Sequence, residues 1–279
     1  MTLQSELDIL GSKIASFHEP EDLADEEWQN FVENTTVALM AGGESSRFSS
    51  VLEGTQANKS AFELPNGDTM IEMIIRMYAQ AGFKRFVALV FHNARSIEER
   101  LGDGSEFGVE IVYSYDPEIP IGKGGAVLNA LENGSIPESH NLIVANPDDV
   151  VLHFPDFPKY ISSAHIEGLK RGAVATAVLG QGQAYHSTGM MVVDNKVVDT
   201  KMYPFIPVPA HVGITLFSPE AYPYFREHFS LTEKSDFENI LFPILANEGK
   251  LWSAGLTRGV WIAVNDAKSY KQLVGELGL

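Results

Sequence analysis

The sequence predicts an α/β protein: a Rossmann-like, mainly parallel sheet with helices on both faces, and a mixed meander in its C-terminal half. Three observations carry that expectation. Short apolar runs alternate with amphipathic helical stretches from Thr36 to Leu179, the grammar of repeated βα units. Glycine, proline, asparagine and aspartate punctuate the junctions, where tight turns need them. Beyond Leu179 the helical spacing gives way to shorter strands separated by turns.

Residues 1–34 read as an acidic helical extension, distinct from the 35–279 domain. Leu3, Leu7, Leu10, Ile14 and Phe17 recur at helical spacing, Pro20 breaks the pattern, and Trp28, Phe31 and Val32 suggest a second short helix. Strands follow at Val37–Met40, Phe86–Phe91, Val109–Tyr113, Leu142–Ala145 and Ala173–Leu179. Helices are expected between them at Thr69–Ala81, Ser96–Leu101, Gly125–Leu131 and Phe157–Leu169. The meander comprises Ser187–Val193, Lys196–Val198 and Val212–Phe217, with Asp194-Asn195 as a turn. A helix at Phe237–Leu245, strands near Leu251–Ala254 and Val260–Val264, and a final helix from Ala267 complete the chain. In such folds ligands collect at the carboxyl ends of the parallel strands.

Composition narrows the function. The chain has 279 residues, no cysteine and a formal charge of −17, about half of it within residues 1–34. Disulfides, thiolate metal sites and cysteine nucleophiles are therefore excluded, and a nucleic-acid backbone is a poor partner for so acidic a surface. No apolar run approaches the ~20 residues that span a bilayer, and no secretory signal is visible, so a cytoplasmic protein without a membrane partner is expected. An acidic surface also repels nucleotides and sugar phosphates, so a site for either needs local cations. Arg47, Lys59, Lys123 and Lys201 are the candidates. There is no G-x-S-x-G elbow, zinc-binding H-E-x-x-H, G-x-G-x-x-G or G-K-[ST] P-loop.

Three stretches carry chemistry on their own terms. After the first strand, Gly42 and Gly43 allow a tight turn that brings backbone N–H groups against an anion, and Arg47 adds a planar cation suited to phosphate oxygens. Gly122, Gly124 and Gly125, around Lys123, let the backbone approach a flat ligand where a helix begins. Asn146-Pro147-Asp148-Asp149 places two carboxylates directly after a buried strand. A hard cation such as Mg²⁺ takes one or two of these and completes its shell with phosphates and waters.

Together these segments resemble the sugar-1-phosphate nucleotidyltransferases. Ala41-Gly42-Gly43 through Arg47, followed by Lys59, resembles that family's G-G-x-G-T-R-[LM] loop and its P-K-x-x-x-P segment, with Ser45, Ser46 and Asn58 departing from it. Ile121–Ala126 is similar to L-G-T-[AG]-G-A, with Lys123 in place of threonine. Asn146 and Asp148 match the metal motif N-G-D, with Pro147 replacing glycine. Gly189 and Lys201 partly match G-V-x-x-D…E-K-P, and His211–Phe217 resembles N-x-G-[IV]-Y-x-F.

The resemblance implies coupling of an NTP with a sugar 1-phosphate, giving an NDP-sugar and pyrophosphate with Mg²⁺ as cofactor; a homo-oligomer is possible. It implies catalytic roles for Arg47 and Lys59. Ala41, Gly42, Gly43, Gly122, Lys123, Gly124, Gly189 and Lys201 would contact nucleotide or substrate. Asp148 would be a metal ligand. The second ligand in the family is an aspartate where this chain has Ala263, so Asn265 or Asp266 must supply the oxygen. Side chains at i and i+2 of an extended segment share a face, which favours Asn265 and leaves Asp266 to cap the last helix. Two alternatives stand beside this reading: a non-sugar phospho-acceptor, and a silent nucleotide-sugar-binding regulatory homologue.

Overall fold

The computed structural model describes residues 2–44, 48, 51, 57–180 and 188–279. Strands β1 (Thr35–Ala41), β2 (Arg85–Val90), β3 (Glu110–Tyr115) and β4 (Asn141–Ala145) are expected from their apolar, β-branched runs and form the parallel half of a seven-stranded sheet. The other half contains β6 (Ala175–Gly180), β9 (Ala210–Phe217) and β10 (Leu251–Gly255), and the order is β10-β6-β9-β4-β1-β2-β3. Only β9 runs against the rest, antiparallel to both β4 and β6.

Alternation along the strands divides the core into two layers. Val37, Leu39 and Ala41 face one side with Phe86, Ala88, Val90 and Ile143. That side is covered by α2 (Asp25–Glu33), α3 (Met70–Gln80), α4 (Ala94–Leu101) and α6 (Phe157–Lys170). Ala38, Val87, Leu89, Leu142 and Val144 face the other side, beneath α5 (Gly122–Glu132), α7 (Tyr222–His228) and α8 (Phe237–Asn247). Helix α3 begins where expected because Thr69 and Glu72 cap each other's backbone N–H groups. A third, smaller cluster of Phe48, Leu64, Met70, Val150, Ile262, Val264 and Leu273 joins β5 (Asp149–Val151), β11 (Trp261–Ala263) and α9 (Ala267–Glu276).

The strands expected after Leu179 are present but do not stay together. Among the described residues β7 (Thr188–Val193) and β8 (Lys196–Met202) pair only with each other, while β9 enters the main sheet. The Asp194-Asn195 turn has φ of 47° and 63°, the double left-handed geometry that closes two-residue hairpins. This ribbon is held by α1 (Leu3–Ile14): the Leu3 N–H donates to Asp199 Oδ2 at 2.6 Å, and Gln4 exchanges two hydrogen bonds with the Phe205 backbone. The two N-terminal helices thus do different work, since α2 sends Phe31 and Val32 into the core. Among the described residues no helix is long and apolar enough to cross a membrane.

Candidate active site

Because β1 to β4 run parallel, their carboxyl ends open on one side, and a cleft of about 450 Å³ lies there. Its walls include Gly42 and Gly43 beyond β1, His92 beyond β2, Asp116 beyond β3, Asn146 and Asp148 beyond β4, and Gly122 and Lys123 at the start of α5. Lys59 and Asn265 complete the set. Eight of the residues singled out in the sequence (Gly42, Gly43, Lys59, Gly122, Lys123, Asn146, Asp148 and Asn265) therefore meet in one place, although they are drawn from positions 42 to 265.

At the centre of the cleft Lys59 Nζ forms an ion pair with Asp148 Oδ2 and lies 3.5 Å from Asn265 Oδ1. The side chains of Lys59 and Asp148 are only 12% and 20% exposed, so water screens the pair weakly. Local backbone bonds bring Asn265 there. Ala263 pairs with Asp149 across β11 and β5, and the Val264 N–H donates to the Asp148 carbonyl at 2.8 Å. Asp266 points elsewhere: it caps α9, accepting from the Ser269 N–H at 2.8 Å, and these bonds hold its carboxyl below the usual range. One carboxylate and one amide oxygen facing a common point suit a hard cation that keeps phosphate and water ligands.

The second acid of the Asp148-Asp149 pair turns away from Lys59. Asn146 Nδ2 donates to Asp149 Oδ2 at 3.0 Å and Trp261 Nε1 to its Oδ1 at 2.9 Å. Burial, reinforced by the neighbouring Asp148 charge, pushes this carboxyl up to about 7. Gly213, at φ +71°, packs beneath it, where a Cβ would fall 2.1 Å from Asp149 Oδ2. Asp149 is thus a half-buried strut of the turn that presents Asp148.

The glycine-rich start of α5 serves packing as much as approach. Gly122 lines the cleft at φ +75°, where a Cβ would meet the Ser235 backbone at 2.6 Å. Gly124 lies behind it against Phe229, whose Cε1 a Cβ would approach to 2.0 Å. The N–H groups of Lys123 and Gly124 donate to Asp236 Oδ1 and the Ser235 carbonyl at 2.9 and 3.0 Å. The Lys123 ammonium pairs with Glu238 and sits 5.7 Å from the Phe237 ring centroid. His211 flanks Glu238 at 3.8 Å, its ring held below its ordinary pKa chiefly by burial.

The remaining expectations fall elsewhere. Ala41 is buried at the end of β1, and its carbonyl accepts from Asn58 Nδ2 at 2.8 Å. Gly189 and Lys201 face each other across the β7–β8 ribbon, and neither lines the cleft. The ribbon leaves the main sheet and docks on α1, which carries both residues with it. Arg47 lies outside the described residues.

Sequence reasoning passed over Asn58, Asp116, Lys234 and Asp236, all of which line the cleft. Asn58 had a signal, its place immediately before Lys59. It is 3% exposed, donates to the Ala41 and His92 carbonyls, and accepts from the Ser60 N–H. Asp116 accepts from the Ile121 N–H at 3.1 Å, yet burial still raises its carboxyl above the ordinary range.

Residues 37–273 match the profile of the nucleotidyl transferase family. The chain belongs to that family. A UTP–glucose-1-phosphate uridylyltransferase of Synechocystis is 26% identical over 221 residues, 74% of this chain and 54% of the relative. The chain thus spans about half the length of this curated relative. A Bacillus anthracis crystal structure, provisionally assigned as a glucose-1-phosphate thymidylyltransferase in complex with a sucrose, shares the fold. Its TM-score is 0.65 at 16% identity, covering 87% of this chain and 94% of that one. In this nucleotidyl transferase the cleft draws Gly42, Lys59, Gly122, Asp148 and Asn265 from five separate stretches of the sheet and its flanks.

Proposed function

We propose that this nucleotidyl transferase couples an NTP with a sugar 1-phosphate, yielding an NDP-sugar and pyrophosphate with Mg²⁺ as the assisting ion. The observation that carries the proposal is the convergence of Lys59, Asp148 and Asn265 in a glycine-walled cleft at the carboxyl ends of β1 to β4. The name of the Synechocystis relative supports glucose 1-phosphate and UTP as the first substrates to try.

In the reaction a sugar-phosphate oxygen attacks the α-phosphorus in line. The new P–O bond replaces the bond to the bridging oxygen, whose electrons leave with pyrophosphate. Such chemistry asks the protein for position and charge rather than for a covalent partner. Gly42 and Gly43 let the backbone approach the triphosphate. The Lys59 ammonium, with the guanidinium of Arg47, neutralises the charge that develops on pyrophosphate. Asp148 and Asn265 would hold the divalent ion, which supplies charge neutralisation across the reacting phosphates. Gly122 and Lys123 border the nucleoside end. Gly189 and Lys201 take no part in this reading. A cytoplasmic location, where both substrates are at hand, accompanies it.

The test is pyrophosphate release across the common NTPs and a panel of sugar 1-phosphates with Mg²⁺. Release with one base and one sugar phosphate well above the others is expected. Nucleotide-sugar binding without any turnover would instead favour a regulatory homologue, and turnover only with phospho-alcohols would change the acceptor class.

A further inference from the structure

We infer that Lys59 and the divalent cation are alternative occupants of one site, so that the lysine must leave Asp148 and Asn265 before the ion can enter. This rests on the metal-assisted reading above. The backbone segments that carry the two oxygens are joined by the Val264–Asp148 backbone bond and the Ala263–Asp149 pairing. The point on which they converge already holds a cation, the Lys59 ammonium. One positive charge against one carboxylate leaves the pair electrically complete.

A hard divalent ion needs the same two oxygens. At contact distance from an ammonium, in a partly desolvated cleft, it would be repelled by much more than thermal energy. The two cannot share the site. Exchange must come from the side chain alone, because the Lys59 backbone is tied down. It sits in a short 3₁₀ turn (Lys59–Ala61) capped by Asn58, and Asn58 is bonded in turn to the Ala41 and His92 carbonyls and to Ser96. The flexible four-carbon stem allows such a swing, and the glycine wall at Gly42 and Gly43 lies across the same cleft. A triphosphate bound there gives the ammonium an anionic destination. Nucleotide binding therefore opens the metal site, and the free protein takes divalent cations weakly.

Mn²⁺ binding to the nucleotide-free protein, followed by electron paramagnetic resonance of the free ion, tests this without recourse to turnover. Lys59→Met keeps the length of the stem and removes the charge, and Lys59→Gln serves if the first variant folds poorly. Either should bind Mn²⁺ at least ~10-fold more tightly than wild type. Adding Asp148→Asn to either should abolish the gain. Equal or weaker Mn²⁺ affinity in both lysine variants, or no detectable binding by either, overturns the inference. If affinity falls with Asp148→Asn but does not change with the lysine, the exchange fails while the metal assignment stands. If Asp148→Asn changes nothing in either background, the metal assignment fails and the exchange with it.

Discussion

Asn58→Ala removes a side chain that braces the wall of the cleft and should cost both stability and rate. The amide donates to the carbonyls of Ala41 and His92 at 2.8 and 3.2 Å, and its oxygen accepts from the Ser60 N–H at 2.9 Å. The bond from the Asn58 N–H to Ser96 Oγ survives the substitution. Three hydrogen bonds at a residue only 3% exposed are thus lost. At about 1 kcal/mol each, more where a buried partner is left unsatisfied, the loss is about 3 kcal/mol. For a chain of this size that corresponds to a fall in Tm of roughly 5 °C. Lys59 follows Asn58 directly, so kcat/KM should fall by ~10- to 100-fold as the ammonium loses its fixed origin. Thermal melts and pyrophosphate-release kinetics on the same preparations measure both effects. Asn58→Asp should be worse than Asn58→Ala, because it sets a carboxylate against two carbonyl oxygens. A variant melting within 2 °C of wild type (about 1 kcal/mol) with unchanged kcat/KM would refute the reasoning.

Asp148 and Asp149 should separate cleanly. Asp148→Asn should fold normally and weaken the dependence of activity on Mg²⁺, whereas Asp149→Asn should destabilise by ~1–3 kcal/mol because one amide oxygen cannot serve both the Asn146 and Trp261 donors. Equal effects in denaturant melts and metal titrations would mean that the two roles are misassigned. Asp149 also predicts a pH dependence. Its folded pKa, about 7, lies above its ordinary 3.8, so the stability tied to its proton is full below that lower value and is lost as pH rises towards 7. The difference in unfolding free energy between wild type and Asp149→Asn should therefore slope with pH across that window, by at most about 1.4 kcal/mol per unit, and parallel curves would count against a half-buried, protonated Asp149. Gly124→Ala, driving a methyl into the Phe229 ring, should cost ~1–3 kcal/mol. Gly43→Ala meets nothing within 4 Å and should leave Tm unchanged while raising KM for the NTP; a shift in Tm with normal KM would make Gly43 structural.

The parallel half of the fold was legible because each βα unit declares itself locally. Alternation in Val37–Ala41 and the Thr69–Glu72 cap need no knowledge of distant residues. The Asp266 cap was legible for the same reason, and the two-residue pleat was enough to put Asn265 rather than its neighbour beside Asp148. The pairing of β9 was not legible. Nothing within Ala210–Phe217 says that it will slot between β4 and β6 rather than extend the ribbon before it, since a strand's partners are chosen by burial across the whole chain. The positions of Gly189 and Lys201 depended on that choice, and on a helix near residue 4 that carries no chemical motif. The Lys59–Asp148 ion pair joins positions 89 apart, and each motif, taken singly, reads as a separate ligand for substrate or metal.

The excursion between β6 and β9 leaves and returns at one spot, for Gly180 and Ala210 are register partners. A segment whose ends already touch is nearly free to vary in length, each doubling costing only ~0.6 kcal/mol of closure entropy. Residues 181–209 can therefore be lengthened, pruned or exchanged in descent without altering a single pairing in the seven-stranded sheet. Whatever is exchanged there carries a passenger, since α1 is bonded to this excursion through Leu3 and Gln4. Helix and ribbon should thus be inherited as one cassette, and a chimaera that swaps the ribbon alone should shed its N-terminal helix while the cleft at the carboxyl ends of β1 to β4 stays intact.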